Sequence, residues 1–324
     1  MEIKQNTPLY HGHRARMRAK LRDGGDRYLE NYELLEMLLY HAIPRADTHP
    51  TAKRLLLDFT TLEKLFSASE EELTKTAGVG AGAARLIRNT ARFIHYKGFC
   101  GALITDSDRE VFLNEKEFLK DVLARLISHS SKEPKLTAEA LTEAFETKTY
   151  LAEANIDTLE KYSDERSAEL IFIATRLEGR LKREPFRTGR RYTEDEIKEY
   201  LTALYTGVGE ETVSVLSFDK AMKLLEADKI GIGTVNSAGI VPRLIIDTAN
   251  KRGAASVIIA HNHPRALAET SREDIDSTLY LLEILNANGL NLICHYIVGG
   301  GECVKLRLDS NRKEEYGIFT RKRI

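Results

Sequence analysis

The sequence predicts an α/β protein of the α+β kind, in which helical regions precede a C-terminal mixed β-sheet sandwiched by helices. Through about residue 190, apolar residues recur at three- and four-residue spacing, the period of amphipathic helices. Beyond that point, short β-branched segments alternate with helical segments, which is typical of a sheet covered by helices. We therefore divide the chain into a helical domain (1–98), a helical insertion or linker (99–190) and an α/β domain (191–324).

The helical regions divide into short amphipathic segments. In the first region the periodicity predicts helices at 33–43, 50–59, 61–68, 70–79 and 82–96. In the second region it predicts helices at 118–127, 138–145 and 167–181. Thr137 is a candidate N-cap for the middle one of these. The polar segments 128–135 and 182–191 are predicted to be loops.

The third region predicts the sheet. Strands are expected at 212–219, 223–233 (as one strand or two), 255–264, 290–300 and 303–308. A helix is expected at 242–253, closed by Gly253. A second helix is expected at 271–289, with Ser271 as its N-cap and Gly289 beyond its end.

Composition limits the class of protein. The 324 residues are 42% hydrophobic, and the net charge of −1 gives no global attraction for nucleic acid. No apolar run approaches the roughly 20 residues that a membrane span requires. Cys100, Cys294 and Cys303 match neither a disulfide framework nor a CxxC metal site. With no apolar leader at the N-terminus, these features lead us to expect a cytoplasmic protein without membrane contact.

One motif points to chemistry. His261 and His263 end an apolar strand at i and i+2, so both should project from the same face, and Pro264 should end the strand. Asp274 falls in the first turn of the next helix, where it can face them. Two imidazoles and a carboxylate suit Zn²⁺, and three protein ligands leave a fourth position for water. We therefore expect one zinc ion per chain at a catalytic site.

Other interpretations of these residues remain open. S-x-x-D at a helix start, here Ser271 and Asp274, is also an ordinary capping box, and an H-x-H pair alone is more often incidental than ligating. The joint pattern favours the metal site. Glu210 and Glu211 precede a strand, where adjacent residues face opposite ways, so only one can serve as general base. Ser271 could donate a hydrogen bond to the developing oxyanion.

The joint pattern resembles the JAMM motif of JAB/MPN-type zinc metallopeptidases, and most closely their RadC-like subgroup. Supporting segments in the third region are 233–243, 254–264, 271–278 and 295–300. Supporting segments in the first region are 12–25, 32–56 and 77–87. The resemblance implies a JAB/MPN-like fold for the third region.

The resemblance also assigns residues. It implies zinc binding by His261, His263 and Asp274, the family serine at Ser271, and the catalytic base at Glu211 rather than its neighbour Glu210. The family's loop after the histidines is small and contains Gly, whereas here it holds bulkier residues (265–270). Cys294 stands where the family has Asp, and the next residue, His295, is expected to be a core or supporting residue. The stretch 103–183 is read as an insertion of unknown role.

Nucleic acid contact is a separate expectation. Residues 77–87 resemble the hairpin of a helix-hairpin-helix element, with Gly78 and Gly80 in the turn and Arg85 and Arg88 beside it. The alternative is a turn that simply joins two packed helices. The segment 11–22 is locally basic, which also fits a solvated face.

Three functional hypotheses follow. The first is a zinc hydrolase that cleaves an amide or isopeptide bond in a peptide or protein substrate. The second is a non-catalytic, DNA-associated scaffold with a link to DNA repair. The third, a nuclease or phosphoesterase, normally needs more carboxylates than the motif offers. The sequence leaves the substrate and any homo-oligomer open.

Overall fold

A computed structural model describes residues 12–24, 29–96, 115–232 and 240–307. The chain divides into two compact units, Met1–Glu184 and Pro185–Ile324. In the described ranges, no helix is both long enough and apolar enough to cross a membrane.

The described part of the first unit is helical. Its eleven helices are α1 (His13–Gly24), α2 (Asn31–Leu39), α3 (His49–Phe59), α4 (Leu62–Ser67), α5 (Glu70–Thr74), α6 (Ala81–Ile94), α7 (Glu115–Ile127), α8 (Pro134–Ala144), α9 (Lys148–Glu153), α10 (Ile156–Leu159) and α11 (Glu165–Arg183). Side-chain caps define several starts; Ser69, for example, forms a capping box with Glu72 at α5.

Helices from both sides of residue 98 share one hydrophobic core. Leu34 and Leu38 of α2 lie in the same buried cluster as Leu123 of α7 and Ile171 and Leu177 of α11. Burial of this apolar surface is the main source of stability for so many short helices. The three-part division of the chain remains a prediction from sequence.

Some helix boundaries in the structure differ from those predicted from the sequence. The helix expected at 70–79 ends at Thr74, and the rest of that range forms the connection to α6, which includes Gly78 at φ +97. Thr137 is not an N-cap: α8 begins three residues earlier at Pro134, with Glu133 as its N-cap residue. Proline suits the first helical turn, where its missing N–H is not needed, so it sets the start.

The second unit is built on a mixed sheet. Its described elements are α12 (Glu194–Tyr205), β1 (Thr212–Phe218), β2 (Leu224–Ile232), α13 (Ile240–Arg252), β3 (Ser256–Asn262), α14 (Arg272–Ala287), β4 (Asn291–Gly299) and β5 (Glu302–Lys305). The strand order is β2-β1-β3-β4-β5, with β3 and β4 parallel and the other neighbours antiparallel. The α/β prediction is confirmed, and 223–233 contributes a single strand.

Helices cover both faces of the sheet. On one face, Val257 and Ile259 of β3 pack with Ile245 of α13 and Leu281 of α14. On the other face, Ile258 packs in a cluster with residues of α12. Because alternate residues of a strand face opposite sides, His261 shares the α13–α14 face with Val257 and Ile259. The fold thereby presents the last residues of β3 to the start of α14.

Candidate metal centre

The end of β3 brings the two motif histidines together. The strand ends at Asn262, one residue earlier than expected, but the backbone N–H of His263 still donates to Val298 O at 2.7 Å. That bond keeps His263 in the line of the strand. The ring centroids of His261 and His263 lie 4.9 Å apart. The side-by-side placement that the spacing predicts is therefore present in the structure.

Asp274 joins them from the first turn of α14. Its Oδ2 accepts hydrogen bonds from the backbone N–H of Ser271 at 2.9 Å and from Ser271 Oγ at 2.7 Å. Its Oδ1 lies 3.1 Å from His261 Nε2. The contact with His261 uses Oδ1, whereas Oδ2 accepts from Ser271 and lies 3.8 Å from His263 Nε2. One carboxylate thus forms the capping box and faces both histidines, so the two interpretations of S-x-x-D are compatible.

The carboxylate is held in its charged form. Burial alone would raise the pKa of Asp274, but hydrogen bonds from His261 and from Ser271 outweigh burial and hold the pKa below its usual range. A charged oxygen acceptor is the form that ligates a metal ion. The environment of Asp274 therefore suits a ligand at neutral pH.

Three ligand atoms converge at spacings that fit a metal ion. His261 Nε2 and His263 Nε2 lie 3.0 Å apart, and one ligand atom from each of the three residues falls within 4.8 Å of the others. Tetrahedral zinc, with bonds of about 2.0–2.1 Å, spaces its ligand atoms roughly 3.3 Å apart. His263 keeps 24% of its side chain exposed, whereas His261 is fully buried. Solvent can therefore reach the cluster from the His263 side.

A hydrogen-bond relay fixes the orientation of His261. Thr278 Oγ1 donates to Asp274 O at 2.6 Å and contacts His295 Nδ1 at 2.7 Å. Since that hydroxyl proton is already used, Nδ1 of His295 must be the donor. Burial lowers the pKa of His295 to about 3, so the ring is neutral and its Nε2 accepts.

The relay ends at the candidate metal position. His295 Nε2 lies 2.8 Å from His261 Nδ1, which must therefore carry a proton. The other ring nitrogen of His261, Nε2, faces Asp274 Oδ1 and is the atom through which the ring can bind a cation. This arrangement gives His295 the supporting position that the sequence suggested. Thr278 was not anticipated from the sequence, although it lies one helical turn after Asp274.

Glu210 and Glu211 lie beside the cluster at the start of β1. Val213 pairs with His261 in the antiparallel register, and extending that register by two residues places Glu211 opposite His263. Directly opposed residues share a face of the sheet. Glu211 is half-buried, whereas Glu210 is exposed. Continued beyond the last pair of the ladder, Val213 and His261, the register predicts Glu211 on the histidine face and Glu210 on the other.

Asn262 holds this segment in place. Its side-chain Nδ2 donates to Val208 O and to Glu210 O, each at 3.1 Å, and its Oδ1 accepts from the backbone N–H of Thr212 at 2.8 Å. The residue between the two motif histidines thus fixes the backbone beside Glu211. This role could not be predicted from the sequence, because no spacing rule applies to an asparagine between two histidines.

The loop after His263 packs on the turn between β4 and β5. A Cβ at Gly299 would lie 2.6 Å from Ala266 O and 2.7 Å from the carbonyl carbon of Leu267, so the approach requires glycine. Arg265 and Glu269 are exposed, as expected for the rim of a site. The bulkier loop is accommodated by this close contact with β4.

In the first unit, the hairpin candidate lies between α5 and α6. A Cβ at Gly78 would lie 2.4 Å from Thr51 Oγ1, and Gly80 is the N-cap residue of α6. Arg85 is exposed. Arg88 instead donates to Phe66 O at 3.1 Å and to Ala68 O at 3.0 Å. The two arginines therefore have different environments, and Arg88 serves packing.

Comparison with known proteins agrees with the architecture of the second unit. Residues 192–311 match the RadC-like JAB domain, and residues 12–85 match the UPF0758 N-terminal family. The chain carries a RadC-like JAB domain. A UPF0758 protein of Pseudoalteromonas translucida is 39% identical over 108 residues, which is 33% of this chain and 48% of that relative. The chain thus spans about half the length of this curated relative. The RadC-like JAB domain contains all five strands and the His261, His263 and Asp274 cluster.

Proposed function

We propose that the RadC-like JAB domain is a zinc-dependent hydrolase that cleaves amide or isopeptide bonds in a peptide or protein substrate. The observation that carries this proposal is the convergence of three ligand groups. His263 Nε2 lies 3.0 Å from His261 Nε2, and Asp274 Oδ1 lies 3.1 Å from the same nitrogen. Three ligands with solvent access on one side are typical of catalytic rather than structural zinc.

Each residue has a role in this proposal. Bound zinc supplies a Lewis acid and lowers the pKa of a coordinated water to about 7. Glu211, directly before β1, takes the proton from the attacking water and passes it to the leaving nitrogen. Ser271, whose Oγ now donates to Asp274 Oδ2, donates to the oxyanion as charge develops. His295 and Thr278 hold His261 in the ligating tautomer.

Metal analysis of the purified chain tests the proposal. We expect His261→Ala to lower the zinc content by about one equivalent and to abolish hydrolysis in a panel of peptide and isopeptide substrates. His129→Asn, in the first unit, is the matched control and should change neither quantity. Zinc content that His261→Ala leaves unchanged would favour the scaffold hypothesis, in which the domain binds partners without catalysis.

A further inference from the structure

A second group of metal-ligating side chains lies in the first unit, outside the RadC-like JAB domain. His13 is the first residue of α1, Glu36 lies within α2, and His49 is the first residue of α3. One ligand atom from each of the three falls within 4.8 Å of the others. No local sequence motif links these positions, since three separate helices bring them together.

The two rings approach the two oxygens of one carboxylate. His13 Nε2 lies 2.8 Å from Glu36 Oε1, and His49 Nδ1 lies 2.8 Å from Glu36 Oε2. These spacings are as short as those between the ligand atoms of the His261 cluster. Two imidazoles and one carboxylate are the donor set that Zn²⁺ and similar divalent transition metals take.

Burial and hydrogen bonding orient Glu36 as a ligand. Its side chain is 1% exposed, and Tyr40 donates its hydroxyl proton to Oε1 at 2.8 Å. Burial, together with the hydrogen bond to Glu36, raises the pKa of Tyr40, so the phenol stays protonated and remains the donor. Such hydrogen-bonded support of a ligating carboxylate is usual in metal sites.

The histidines leave the group open on one side. The side chains of His13 and His49 are 32% and 35% exposed, so an ion and its water ligands can reach the ring nitrogens from solvent. The Tyr32 ring packs edge-on against His49 with centroids 5.2 Å apart and restricts its orientation. A half-open site with a buried anionic ligand suits a hydrated divalent ion.

The neighbouring cations are paired with other groups. Arg14 donates to the backbone carbonyls of Ile43 and Ala46, each at 2.7 Å. Arg18 pairs with Glu169 at 2.7 Å. Arg14 and Arg18 thus contact groups other than Glu36, whose two oxygens each lie 2.8 Å from a histidine nitrogen.

We propose that His13, Glu36 and His49 form a second divalent-metal site, which takes Zn²⁺ or a similar transition-metal ion and ties the starts of α1 and α3 to α2. Helix α1 buries only two apolar side chains, Met17 and Leu21, among its described residues. An ion bound at its first residue adds an attachment that the folded chain has and the unfolded chain lacks. Metal binding at this site therefore stabilises the first unit.

The test uses the full chain in a background that removes the first site, His261→Ala with Asp274→Asn. After chelation, reloading with ZnCl₂ and dialysis, we expect this background to retain about one equivalent of zinc and to melt at a higher temperature with zinc than without. Adding His49→Asn should abolish both effects. His129→Asn in the same background should abolish neither.

A spectroscopic measurement needs no change at the proposed site. Cobalt added to the background protein should give visible d–d bands of a low-symmetry, nitrogen- and oxygen-ligated ion, and zinc should displace them. Absence of zinc, of bands and of a thermal shift in the background would show that Glu36 is simply a buried carboxylate that accepts from two histidines. That result would overturn this proposal without touching the first site, which is measured by the difference between wild type and background.

Discussion

Replacing Thr278 by valine removes one hydroxyl from the relay behind the metal centre and keeps the shape of the side chain. That hydroxyl makes two contacts, with Asp274 O at 2.6 Å and with His295 Nδ1 at 2.7 Å, and Thr278 is only 3% exposed. Water cannot readily replace it, so Nδ1–H of His295 loses its acceptor. An unsatisfied buried donor costs roughly 1–3 kcal/mol.

His295 can avoid this cost only by changing tautomer. With a pKa of about 3 it cannot gain a second proton near neutral pH, so the proton would move to Nε2, opposite His261 Nδ1. His261 would then have to accept at Nδ1 and carry its proton at Nε2, the nitrogen that ligates the metal. Either outcome weakens the site. We expect Thr278→Val to reduce zinc affinity about 10- to 100-fold, the range seen when an outer hydrogen-bonding partner is lost.

Zinc affinity is measured by competition with a chromogenic chelator at pH 7.5. Thr278→Ser is the matched control, since it keeps the hydroxyl and should bind zinc nearly as well as the wild type. Urea unfolding of the metal-free proteins separates the stability loss from the affinity loss. Equal zinc affinity in the valine and serine variants would refute the relay.

Three further predictions concern separate parts of the chain. Glu211→Gln should retain zinc but lower hydrolysis by about 10²- to 10⁴-fold, whereas Glu210→Gln should not; equal effects would contradict the assignment from register. Arg85→Ala should weaken salt-dependent binding to duplex DNA, measured by fluorescence anisotropy, without lowering stability. Arg88→Ala should instead lower the free energy of unfolding by roughly 1–3 kcal/mol, because it removes charged hydrogen bonds to two carbonyls. Weaker DNA binding in Arg88→Ala together with lower stability in Arg85→Ala would contradict the hairpin proposal. His41 is 5% exposed, neither ring nitrogen has a hydrogen-bond partner in the described ranges, and burial lowers its pKa from 6.5 to about 3. At pH 5 the unfolded chain binds a proton there and the folded chain does not, so acidification from pH 7 to pH 5 should cost about 2 kcal/mol at this residue. His41→Leu should remove that part of the pH dependence in urea unfolding; an unchanged slope between pH 7 and pH 5 would contradict the argument.

Local sequence patterns predicted those features of the fold that depend on interactions between neighbouring residues. The strand that carries His261, the capping box at Ser271 and Asp274, and the glycine closing α13 all follow from a few neighbouring residues. Helix α12 was not predicted from the sequence, although Thr193 and Glu196 form a capping box at its start and apolar residues follow at helical spacing. This capping box is a local signal from which the start of the helix can be predicted.

Contacts between distant segments lay beyond sequence reasoning. His295 and Thr278 meet because β4 packs beside β3 with α14 above them, and no spacing rule relates these two positions. The His13, Glu36 and His49 group depends likewise on how three helices pack. Which side chains meet across a core is set by tertiary packing, and periodicity reports only which face each one occupies.

The parallel pairing of β3 with β4 has a consequence for how the centre assembles. His261, His263, Asp274, Thr278 and His295 all fall within one β-α-β crossover, Ser256–Gly299. Closing this short stretch of chain costs little entropy compared with gathering ligands from both ends of a protein. Amide hydrogen exchange in β3, α14 and β4 should therefore slow together when zinc is added, because the ion locks a single cooperative block of backbone.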